Sequence, residues 1–179
     1  MSLDQLWAGW RMDYVEAATT AERAREDGTC VFCRLAASGP PAAETGVLAR
    51  ADGVFTVLNR YPYASGHLLV VPERHVAELA ELGREEGAAL WDALRTAVAG
   101  IERAYQPDGV NVGANLGRAA GAGIPRHLHL HVVPRWSGDT NFMTTVAGVR
   151  VLPQSLLDSW RALSARWPDP AQEPQGTTS

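Results

Sequence analysis

The sequence predicts an α+β fold: an antiparallel sheet of about five strands with one long inserted helix and a shorter C-terminal helix. Three observations lead there. Short apolar segments of strand type are separated by tight turns, a long stretch from Arg84 to Tyr105 carries apolar residues at helical spacing, and a second helical stripe recurs near the C-terminus. With 179 residues, 46% of them hydrophobic, the chain can bury one real core but has little room for two. A single domain over residues 1–167 is predicted, followed by a polar, proline-containing tail at 168–179 expected to be disordered.

Residues 34–45, with Gly39-Pro40-Pro41, read as a loop. Gly46 to Arg50 and Val54 to Leu58 read as two strands of a hairpin turning at Asp52-Gly53. His67 to Val71 is a third strand ended by Pro72. Leu90, Leu94, Ala97, Val98, Ile101 and Tyr105 form the stripe of the long helix, which Gln106-Pro107-Asp108-Gly109 stops. Val110 to Leu116 alternates as a strand, and Gly117 to Ile124 is a glycine-alanine loop. The last strand is expected at His127 to Val133, and Leu156, Leu157, Trp160, Leu163 and Trp167 mark the C-terminal helix. Trp160 and Trp167 fall on that stripe and are assigned to the core, whereas Trp136 is the tryptophan to test for ligand contact.

Net charge is −4 and the 16 basic residues are scattered, so no footprint for nucleic acid is visible. Met1 to Gln5 has no basic segment leading into an apolar one, and no apolar run approaches the roughly 20 residues of a membrane span. A cytoplasmic protein without membrane attachment is expected. Two cysteines three positions apart exclude a disulfide framework and leave metal binding, redox chemistry or an inert pair open for Cys30-Val31-Phe32-Cys33.

His127, His129 and His131 are spaced by two, so a strand would project all three imidazoles from one face and Leu128, Leu130 and Val132 from the other. Neighbouring rings would then stand roughly 7 Å apart, where protonated forms repel. Two chemical readings fit: a three-histidine metal site, or nucleophilic catalysis by a histidine. No Asp or Glu lies between Gly109 and Gly138, while Arg118, Arg126, Arg135 and the glycine loop supply donors suited to phosphate. An anionic substrate attacked by imidazole is the better match.

The segment Arg126-His127-Leu128-His129-Leu130-His131-Val132-Val133-Pro134-Arg135 resembles the signature of the histidine-triad family, and Leu58 to Pro72, containing Asn59 and Gly66-His67, resembles its other characteristic stretch. Trp136 to Phe142 and Val151 to Gln154 are similar to a bacterial branch that includes diadenosine tetraphosphate phosphorylases and Fhit-like dinucleoside polyphosphate hydrolases. The resemblance implies cleavage of a dinucleoside polyphosphate at an α-phosphate through a nucleotidyl-histidine intermediate, resolved by phosphate or water. A nucleoside phosphoramidate hydrolase, or a nucleotide-binding sensor with incidental turnover, is the alternative.

By position the resemblance implies that His129 is the nucleophile, that His131 contacts phosphate and assists the leaving group, and that His67 supports the same pocket. It places Asn59 at the ribose hydroxyls, Val57 and Leu69 at the nucleobase cleft, and Asn115 with Gly121 and Gly123 at the phosphates. Fhit-like enzymes carry Gln four residues before the first histidine, where this chain has Gly123. Family members with Cys-x-x-Cys bind structural zinc, which here implies Cys30, Cys33, His75 and His127 as ligands, with no organic cofactor. A homodimer through the long helix and an edge strand is likewise implied.

Overall fold

The computed structural model describes residues 30–139 and 154–168. Among them the chain runs α1 (Val31–Ala36), β1 (Val47–Ala51), β2 (Val54–Leu58), β3 (Leu68–Pro72), α2 (Arg84–Tyr105), β4 (Gly109–Gly113), β5 (Leu130–Arg135) and α3 (Leu156–Ser164). The five strands form one antiparallel sheet in the order β1-β2-β3-β5-β4. The expected α+β class, the sheet and both helices are present. The predicted tail, apart from Pro168, and the stretches Thr140–Phe142 and Val151–Pro153 fall outside the described residues.

Asp52 and Gly53 both take positive φ, 50° and 74°, the conformation that lets a two-residue turn match strand twist. Helix α2 begins where the Glu86 carboxylate reaches back to the Gly83 N–H at 2.8 Å. It ends at Gln106 in the left-handed region, ahead of Pro107. At the start of α3, Ser155 Oγ accepts the Asp158 N–H at 3.1 Å.

The period of two along the central strands divides the sheet into unlike faces. Leu68, Val70, Leu128 and Val132 pack with Leu90, Leu94, Ala97 and Ile101 of α2 and Leu163 of α3. On the opposite face Val47, Phe55, Val57, Leu69 and Val71 pack around Phe32 of α1. Trp160 and Trp167 pack against the α2-side core as expected, and the Trp160 indole N–H donates to the Val47 carbonyl at 2.9 Å. That bond meets β1 at its irregularity between Val47 and Ala49.

Three sequence expectations need correction. Residues Arg34 to Ala36 are not loop but the end of α1, whose first turn starts straight after Cys30. Strand β4 stops at Gly113 rather than reaching Leu116. The last strand begins at Leu130, so of the three triad histidines only His131 lies in regular strand. Its earlier residues form other bonds: the His127 N–H turns back to the Ile124 carbonyl, and the Leu128 N–H pairs with Val76 at 2.6 Å. The alternation survives even so, because Leu128 still enters the α2-side core.

Gly66 shows how tightly β3 is introduced. It adopts φ +80°, and a Cβ there would overlap the Tyr105 ring at the end of α2. Gly66→Ala is therefore expected to cost about 3 kcal/mol, from left-handed strain and the ring clash together. Urea unfolding curves of the two proteins measure it; a loss under 1 kcal/mol would contradict this packing.

Candidate active site and metal centre

His67, His129 and His131 gather on the Phe32-side face of the sheet. Register pairs Leu69 of β3 with His131 of β5, so their side chains share that face, and His67 lies two residues before Leu69. The rings of His67 and His131 are 5.2 Å apart, and those of His129 and His131 are 5.1 Å apart. This is closer than the roughly 7 Å of an ideal strand, and His129 sits just before the ladder begins at Leu130. Phe32 packs against both His127, edge-on, and His129, tilted, with centroids 5.3 and 5.1 Å away. Phe32 had no sequence signal beyond lying between the two cysteines.

Each imidazole has its tautomer set by a neighbour. His129 Nδ1–H donates to the His127 carbonyl at 2.8 Å, leaving Nε2 with its lone pair. Burial, at 7% exposure, pushes the His129 pKa below the usual imidazole value. The ring is neutral at pH 7 and nucleophilic at Nε2. His127 Nε2–H donates to the Pro72 carbonyl at 2.8 Å, so its Nδ1 keeps the lone pair, on the side of the two cysteines. Burial, with His129 alongside, pushes His131 down to about 4.

That shift has a consequence for stability. Between about pH 6.5 and 4 the unfolded chain binds a proton at His131 that the folded chain refuses, so this stability is complete above 6.5 and lost as pH falls toward 4. Thermal melts over pH 4–8 are expected to decline more steeply for wild type than for His131→Gln. Parallel curves would refute the assignment.

Cys30, Cys33, His75 and His127 form a second cluster at the end of this row, with ligand atoms all within 4.8 Å of one another. His127 Nδ1 lies 3.4 Å from Cys30 Sγ and 3.7 Å from Cys33 Sγ, and His75 Nδ1 lies 3.2 Å from Cys33 Sγ. A tetrahedral ion with sulfur at about 2.3 Å and nitrogen at about 2.0 Å separates S from N by about 3.5 Å. The four donors fit such an ion. Three separate segments meet here: the start of α1, the loop after β3 and the loop before β5. Arg50 braces the first of them, its guanidinium donating to the Leu35 and Gly39 carbonyls and pairing with Glu73 at 3.0 Å.

The remaining predicted residues are distributed around the histidines. Asn59 ends β2 and its amide nitrogen lies 3.3 Å from His67 Nδ1. Val57 and Leu69 are buried in the Phe32-side cluster. Asn115 Nδ2 approaches the Gly121 carbonyl at 3.5 Å, and Gly121 takes φ +84°; Gly123 follows in the same loop. Trp136 packs edge-on against Tyr105, centroids 6.3 Å apart. Among the described residues no helix is long and apolar enough to cross a membrane.

Residues 41–138 match the HIT domain family. An AP-4-A phosphorylase of Mycobacterium tuberculosis is 41% identical over 165 residues, covering 92% of this chain and 85% of the relative. A zinc-bound histidine triad family protein from Mycobacterium smegmatis superposes with TM-score 0.63 at 29% identity, over 78% of this chain and 93% of that one. A HIT-like protein from Bartonella henselae shares the fold with TM-score 0.62 at 23% identity, over 76% of this chain and 94% of the other.

Proposed function

The chain belongs to the histidine-triad (HIT) family, and on that footing we propose that it is a nucleotidyl transferase that cleaves dinucleoside polyphosphates such as diadenosine tetraphosphate at an α-phosphate. The observation that carries the reading is the Nδ1–H bond from His129 to the His127 carbonyl, which leaves Nε2 as a buried, neutral nucleophile. His129 Nε2 attacks the α-phosphorus, a P–N bond forms, and the bond from phosphorus to the bridging oxygen breaks with its electron pair leaving on the polyphosphate. His131 Nε2 is buried without a hydrogen-bond partner among the described residues, so a phosphate oxygen gives it one. An acceptor oxygen, from phosphate or water, then attacks phosphorus and returns the electron pair to Nε2.

In this reading His67 supports His131, Asn59 meets the ribose, Val57 and Leu69 floor the nucleobase cleft, and Asn115 with Gly121 and Gly123 lies along the phosphates. Kinship to a protein named AP-4-A phosphorylase favours phosphate as acceptor. Zinc is the ion proposed for Cys30, Cys33, His75 and His127, and when bound it supplies a fixed positive charge and a cross-link, not an open coordination position. The exposed face of α2, with Trp91 at 62% exposure, and the edge strand β4 are the surfaces proposed for a homodimer.

The test is product analysis of diadenosine tetraphosphate turnover with and without inorganic phosphate. Phosphorolysis yields ADP and ATP and stops when phosphate is withheld. AMP and ATP formed without phosphate would identify a hydrolase instead, and tight retention with no product would remove the enzymatic reading.

A further inference from the structure

The proton on His131 is placed by groups that do not touch it. The backbone N–H of Tyr63 donates to His67 Nδ1 at 3.0 Å. An amide N–H can only donate, so Nδ1 of His67 is bare. Asn59 lies beside the same ring: its Oδ1 accepts the Tyr61 N–H at 3.0 Å, which turns its Nδ2 donor toward His67, 3.3 Å from Nδ1 and 3.5 Å from Nε2. With the Tyr63 N–H on Nδ1 and the Asn59 donor nearer to that atom than to Nε2, neutral His67 carries its proton on Nε2, which donates to His131 Nδ1 at 2.9 Å. Neutral His131 must then hold its own proton on Nε2, the buried atom that lacks a partner among the described residues. The Tyr63 ring packs against both histidines, its centroid 4.7 Å from that of His67 and 5.9 Å from that of His131, stacked on His131 and tilted to His67.

We infer that the backbone N–H of Tyr63 fixes the tautomer of His67 and thereby makes His131 Nε2 a hydrogen-bond donor toward the substrate phosphates, and that Asn59, besides any contact with the ribose, is a positioning residue whose amide donor is compatible with that proton placement where a carboxylate is not. The consequence is directional. An acceptor in place of the Asn59 amide would draw the His67 proton to Nδ1, reverse the chain, and present a lone pair from His131 to an anionic substrate. The kinetic part of this inference rests on the nucleotidyl-transfer reading; the tautomer part does not.

Long-range proton–nitrogen NMR of the histidine rings in the ligand-free, metal-loaded protein is the first test. Wild type is expected to show His67 and His131 protonated at Nε2 and bare at Nδ1. Asn59→Asp is expected to move the His67 proton to Nδ1 or to protonate both nitrogens, with kcat lower by roughly ten- to hundredfold. Asn59→Leu, similar in size but with no acceptor, keeps the wild-type tautomers because the Tyr63 N–H remains, and its kcat falls less than that of Asn59→Asp. A role confined to the ribose gives the opposite order, since a carboxylate still accepts ribose hydroxyls and the losses appear in KM. A wild-type His67 protonated at Nδ1, or an Asn59→Asp spectrum with unchanged tautomers, overturns the inference. If Asn59→Asp does not fold, the wild-type spectrum alone decides. Absence of turnover by wild type would overturn the nucleotidyl reading while the ligand-free spectra still judge the tautomers.

Discussion

His129→Ala is expected to lower kcat for diadenosine tetraphosphate by about four orders of magnitude or more, the scale on which loss of a covalent nucleophile is felt when the rest of the site persists. Nucleotide affinity, measured by calorimetry, should change little. The reasoning is local. Nδ1 is occupied by the His127 carbonyl, so every nucleophilic act of this ring must pass through Nε2. His131 offers no substitute, because its Nδ1 already accepts from His67 at 2.9 Å and its Nε2 is protonated. The variant should also fail to accumulate labelled nucleotidyl-protein in acid-quenched mixtures, where wild type accumulates it. Wild-type turnover by His129→Ala would remove the nucleophile assignment and the covalent mechanism with it.

The second large effect concerns the cysteine-histidine cluster. Cys30→Ser, or prolonged treatment with a strong chelator, is expected to abolish bound zinc and lower Tm by about 10 °C, corresponding to several kcal/mol for a domain of this size. The four donors come from three segments, and the one that carries both cysteines, α1 with the residue before it, lies outside the sheet ladder. Burial and the neighbouring Cys30 push the Cys33 thiol up, so a cation is needed to hold Cys33 as a thiolate. Release of the ion frees α1, which carries Phe32, the ring that packs on both His127 and His129. Metal content by atomic spectroscopy and Tm by calorimetry check it. Purified protein without zinc, or a Cys30→Ser protein with unchanged Tm, would remove the ion from the proposal.

Much of the fold was legible because its signals are local. Asp52-Gly53 specified a turn by backbone preference, and the Leu90–Tyr105 stripe specified a helix by period. Legibility failed where a long-range bond competed with a local pattern. The triad reads as one strand, yet Leu128 pairs its N–H with Val76, 52 positions away, and the ladder starts only at Leu130. Arg34 to Ala36 read as loop, although the turn after Cys30 closes with the Arg34 N–H on the Cys30 carbonyl at 3.1 Å.

Composition and spacing alone were enough to identify the residue types gathered at the histidines and to set the triad's apolar partners on the opposite face, because alternation needs only neighbours in the chain. Through its resemblance to a known family the sequence also implied which two histidines, His75 and His127, belong with the cysteines. Tertiary structure alone decided which nitrogen of each ring is protonated. That depends on the Pro72 carbonyl for His127, the His127 carbonyl for His129, and the Tyr63 N–H and Asn59 amide for His67 and, through it, His131. A histidine in a sequence carries two equivalent possibilities, and only a donor or acceptor at hydrogen-bond distance selects between them.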